Sequence, residues 1–163
     1  MSFPAEAFTR IAAQDAEIGT LVLLRGDWAL RCQFEPENGP VQQLFWLTGE
    51  RAGQISGVPK EISLAVKPTH GIQIRLKDPR GVNPIHQTPV GVITVNSNGE
   101  IAFWGHILGS HQDVYAFSLQ GKDVTPIDRD WSPPFLTFDS YEIWLARDGA
   151  QQGDSPLFAT IAK

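Results

Sequence analysis

The chain has 163 residues, 42% of them hydrophobic and only 19% charged, a balance that fits one domain able to bury a sizeable core and speaks against disorder. With 13 Lys and Arg, 18 Asp and Glu and a net charge of −5, it lacks the clustered basic side chains that nucleic acid or an anionic membrane requires. Its 15 glycines and 12 prolines favour many short strands joined by tight turns.

The N-terminal segment predicts a short helix over about 3–16. Ser2 can cap it, Pro4 suits its first turn, and Phe8, Ile11 and Ala12 recur at helical spacing, with Gly19 a natural stop. No basic start followed by an apolar run marks a secretory signal, and no stretch approaches the ~18 apolar residues of a membrane span. The expected location is therefore the cytoplasm or a larger assembly. Cys32 is the single cysteine, so an intrachain disulfide is impossible and no oxidising compartment is needed.

From Thr20 the period changes to two, and strands are expected from about 20 to 162. Trp28, Leu30, Cys32 and Phe34 alternate with Ala29, Arg31 and Gln33, which predicts one apolar and one wet strand face. Ile62, Leu64 and Val66 repeat the pattern, as do Ile72, Ile74 and Leu76 against Gln73, Arg75 and Lys77. By contrast, Leu21 to Leu24 and Leu44 to Leu47 are apolar throughout and should be covered on both faces. Turn residues separate these runs, most clearly Asn96-Ser-Asn-Gly99, which predicts a hairpin between Val92 to Val95 and Ile101 to Leu108. Two proline-rich stretches, Lys77 to Pro89 and Gly121 to Phe135, read as long loops. The expected fold is mainly β: an antiparallel β-sandwich (jelly-roll or Ig-like) or a flattened barrel of about ten strands with a short N-terminal helix, forming one domain over 1–163.

Catalytic constellations are scarce. His70, His86, His106 and His111 contain no His-x-His pair, and His106 with His111 across a turn supplies fewer ligands than a stable zinc site needs. Cys32 lies on the apolar parity of its strand, where a thiol behaves as a small hydrophobe. Asp128 and Asp130 flank Arg129 in a loop, which reads as a solvated turn. With Asp123 they offer only a loose calcium set that is not an EF-hand. Phosphate-cradling motifs are absent. No catalytic residue, metal or cofactor is expected.

The remaining signal is aromatic. Trp104 shares parity with His106, while Trp144 shares parity with Glu142, opposite Tyr141, Ile143 and Leu145. If those strands are neighbours, Trp104, His106, Glu142 and Trp144 would form one binding surface joined by Trp131 from the preceding loop. The expected role is a non-enzymatic interaction or assembly module, a subunit of a homo- or hetero-oligomer, with a protein partner or a second copy as its ligand. A carbohydrate-binding module using exposed tryptophans is the alternative, with a glycan as partner. A small metal-dependent barrel enzyme comes third.

Overall fold

The computed structural model describes residues 3–34, 39–79, 81–82, 91–109, 114–124 and 136–160. These residues form a mainly β architecture of two sheets. In chain order the strands are β1 (Phe8–Ala12), β2 (Leu21–Leu24), β3 (Asp27–Phe34), β4 (Val41–Trp46) and β5 (Gln54–Gly57). They continue with β6 (Ile62–Val66), β7 (Gly71–Leu76), β8 (Gly81–Val82), β9 (Ile93–Val95) and β10 (Ile101–Ile107). The last are β11 (Val114–Ser118), β12 (Leu136–Phe138), β13 (Tyr141–Arg147), β14 (Ala150–Gln151) and β15 (Phe158–Thr160).

The large sheet runs β1-β6-β2-β3-β4-β5-β10-β9-β12-β8, with β11 also pairing β10. In the small sheet, β7, β14 and β15 all pair β13. Among the described strands, pairing is antiparallel except between β5 and β10, and an isolated bridge from Gln33 to Lys122 is also parallel. The two ends of the large sheet do not meet, so it remains open and no barrel closes.

Alternation along the strands builds a core between the sheets. Trp28, Leu30, Cys32, Phe45, Phe103 and Phe117 face Tyr141, Ile143 and Leu145 in one buried cluster. Trp28 stacks on Phe158 with centroids 6.2 Å apart, and Phe103 meets Tyr141 edge-on at 6.2 Å, so aromatic contacts span the gap. Cys32 is fully buried here, and burial drives its thiol pKa far above the ordinary range, the state of an inert core thiol.

The runs expected to be buried on both faces are so. Leu21, Phe45 and Leu47 join the inter-sheet core, while Val22, Leu24, Leu44 and Trp46 join Ala16, Ala29 and Ala65 in a second cluster on the outer face. The cover for that face is the segment linking β1 to β2, and its fastening is Arg31.

Arg31 was expected on a wet face, but it is only 1% exposed. Its Nε donates to Ala16 O at 3.2 Å and its Nη2 to Gln14 O at 3.2 Å, while Nη1 donates to Gln43 O at 3.2 Å. A further bond from Nη2 to Gln42 Oε1 measures 2.6 Å. The guanidinium thus ties the covering segment to β4 through neutral acceptors, and desolvation lowers its pKa. The polar parity of β3 is therefore an inner layer.

The N-terminal helix is corrected to a strand. Residues 5–7 and 13–15 form lone 3-10 turns, and between them β1 pairs antiparallel with β6, Phe8 against Val66 through Ala12 against Ile62. Helical spacing of three apolar residues is a local signal. The edge of β6, five strands later in the chain, overrides it by offering backbone partners and, through Ser63 Oγ to Ile11 O at 3.0 Å, a side-chain tie. The alternation of β6 is also corrected in part: Val66 enters the core, but Ser63 and Ala65 are buried under the covering segment while Ile62 is 59% exposed.

The expected hairpin forms between β9 and β10. Asn96 Oδ1 accepts from the backbone N–H of Asn98 at 3.0 Å and of Glu100 at 2.9 Å, and Gly99 takes the positive φ the turn requires. Within the proline-rich stretch Lys77 to Pro89, residues 81–82 form β8 against β12; residues 80 and 83–90 lie outside the described set, as do 125–135 of the second stretch. Among the described residues no helix is long and apolar enough to cross a membrane.

Candidate functional site

The small sheet presents its polar parity outward. Because Tyr141, Ile143 and Leu145 face the core, Glu142 and Trp144 project from the opposite side of β13. The antiparallel register sets Arg75 of β7 opposite Glu142 and Gln73 opposite Trp144. On the other flank, Asp148 and Gly149 both adopt positive φ, the geometry of a two-residue hairpin turn, which folds β14 back so that Gln151 lies opposite Ala146.

These elements assemble a layered cluster. The Arg75 guanidinium lies 4.3 Å from the Trp144 ring centroid and also donates to Gln151 Oε1. Trp144 Nε1 donates to Glu142 Oε2 at 3.0 Å, and the other carboxylate oxygen meets Lys77 Nζ at 2.6 Å. Gln73 Nε2 donates to Gly149 O at 2.7 Å and closes the rim. The bond from Lys77, followed by that from Trp144, holds the Glu142 carboxyl below its usual pKa. Trp144 itself is 7% exposed because Arg75 shields it.

Of the five residues singled out from the sequence, the four that are described do not share one surface. Trp104 sits on β10, one residue after the core-facing Phe103, and so occupies the far side of the large sheet. There it is 2% exposed among Val92, Ala102 and Ala116, and its Nε1 donates to Thr94 Oγ1 at 2.7 Å. His106 is half-buried on the same strand, between Gln54 of β5 and Val114 of β11. Trp104 and Trp144 therefore lie on the two outer faces of the sandwich, pointing apart. Trp131 lies outside the described residues, as do His86, His111, Asp128 and Asp130. Asp123, the described member of the aspartate set, bridges to Phe117 beside β11. Among the described residues no group of three or more His, Cys, Asp or Glu gathers as a metal site would require.

Sequence reasoning paired Glu142 with Trp144 but missed Arg75, Lys77, Gln73 and Gln151. The signal for Gln73, Arg75 and Lys77 was present as the polar alternation through and just past β7, whereas Gln151 on β14 gave none. What was missing was the register that places that parity beside the polar parity of β13.

Comparison of the chain with models of known families, with curated proteins and with solved structures finds no match.

Proposed function

We propose that this protein is a non-enzymatic assembly subunit that associates with a second copy of itself through the outer face of the small sheet. The observation that carries the reading is the stack of Arg75 over Trp144 with Glu142 and Lys77 beside it. Trp and Arg are the residue types on which interface energies concentrate, and here they stand at the centre of the small sheet's outer face. A two-fold interface must be complementary to itself. This face meets that condition because it carries cations at Arg75 and Lys77, an anion at Glu142, and amides at Gln73 and Gln151 that both donate and accept. On the opposite outer face, the large sheet buries Trp46 and Trp104 under its own chain.

Arg75 occupies the indole face on which a sugar ring would stack, which weighs against the carbohydrate reading. A charge swap tests the self-association reading. Arg75→Glu and Glu142→Lys should each abolish association alone, since each sets like charges opposite one another across the two-fold axis. Mixing the two variants should restore a heterodimer in which both cross-pairs are opposite in sign. Failure of the mixture to associate, when wild type does, would remove this face from the interface.

A further inference from the structure

A separate cleft of about 370 Å³ opens at the edge of the sandwich, between the segment leading into β2 and the turn from β6 to β7. Its size falls in the range of small-molecule sites. Leu21 and Val66 from the core line it, joined by the half-buried Ile72 and Leu119, which gives it an apolar floor. The polar groups come from two different connections: Glu17 from the segment before β2, and Lys67 and His70 from the turn after β6.

Backbone hydrogen bonds hold the framework that carries these groups. His70 N–H donates to Lys67 O at 2.9 Å, closing the turn, and Thr20 N–H donates to Glu17 O at 3.1 Å. Behind them two backbones cross in contact. Gly19 has φ +87°, and a Cβ there would lie 2.8 Å from Gln120 O, so only glycine permits the approach. Gly19 N–H donates to Arg31 O at 2.8 Å, and Gln33 N–H donates to Gly121 O at 2.7 Å. Among the described residues neither Glu17 nor Lys67 has an ion-pair partner, and the Thr69 contact at His70 Nδ1, 3.1 Å, leaves Nε2 for another group.

We infer that this cleft binds a small zwitterion of the apolar α-amino acid class. The ligand's ammonium pairs with Glu17, its carboxylate with Lys67 and His70, and its side chain lies on Leu21, Val66, Ile72 and Leu119. A preformed cleft with opposite charges on separate walls and an apolar floor matches the three parts of such a molecule. A simple fatty acid or amine would leave one wall unpaired.

The test is a titration of the full chain with L-leucine, leucinamide and 4-methylpentanoate, followed by NMR at the Gly19 amide and the Ile72 methyl groups. Leucine should shift both signals, and each analogue, lacking one charge, should bind about tenfold or more weakly. Lys67→Met should weaken leucine and leave leucinamide unchanged; Glu17→Gln should weaken leucine and leave 4-methylpentanoate unchanged. Both positions lie at the surface, and the amide spectrum reports that each variant is folded. The inference is overturned if leucine shifts neither signal at millimolar concentration, if the analogues match leucine, or if neither substitution alters its affinity. The Arg75 face takes no part in any of these outcomes.

Discussion

Arg75 and Trp144 sit on neighbouring strands two residues out of register, and the guanidinium of the first covers the indole of the second at 4.3 Å. The contact is diagonal: Arg75 is directly opposite Glu142, yet it leans along the strand to reach Trp144 and Gln151. One side chain thereby links three strands of the small sheet. It also makes a buried-looking tryptophan the centre of a polar face rather than part of the core.

The carboxylate of Glu142 makes the face sensitive to acid. Its pKa lies below the ordinary value of 4.5, because Lys77 first and Trp144 second bind the ionised form. The stabilisation is therefore complete above 4.5 and is lost as the pH falls through the lower, folded-state value. The Trp144 indole N–H resonance should shift with a midpoint below 4.5, and Lys77→Met should move that midpoint upward. A midpoint at or above the ordinary value in wild type would contradict the pairing.

Arg31 should prove essential to the outer layer. Arg31→Met removes bonds to Gln14 O, Ala16 O, Gln43 O and Gln42 Oε1 and leaves buried acceptors unpaired. A loss of about 2–3 kcal/mol in urea unfolding is expected. Faster hydrogen exchange should follow at Ala13 N–H, which bonds Glu61 O from within the covering segment. An unchanged midpoint would mean that the segment is held by its apolar contacts alone.

Most of the scaffold was legible in the residues. The double-sided apolar runs Leu21 to Leu24 and Leu44 to Leu47, the Asn96 to Gly99 turn and the core parity of Cys32 all follow from local pattern. What was not legible depends on non-local pairing. Phe8, Ile11 and Ala12 carry a helical spacing that loses to an edge offered by β6, and Arg31 looks solvent-facing until the segment from Gln14 to Ala16 folds over it. The site divides in the same way. Glu142 and Trp144 are two residues apart on one strand and could be paired from sequence, whereas Trp104 could be assigned to another sheet only once the order of β10 and β13 was known.

Gly105 marks a close-packed point of the core. A Cβ there would enter the Phe45 ring and come within 2.7 Å of Gly53 O, where β10 runs beside β5. Gly105→Ala should cost about 1–3 kcal/mol by overpacking. Adding Phe45→Leu should cost less in the Gly105→Ala background than in wild type, because the smaller side chain relieves the clash. Strict additivity in thermal or urea unfolding would show that the strain lies elsewhere.

The central claim concerns the Trp144 face and is tested most directly by sedimentation equilibrium of the wild-type chain beside Arg75→Glu and Trp144→Ala. Arg75 is exposed, so its variant keeps the fold while reversing the charge at the centre of the face. The account predicts a concentration-dependent dimer for wild type and monomers for both variants. A wild-type chain that stays monomeric at high concentration, or a dimer that persists unchanged in Arg75→Glu, would contradict it.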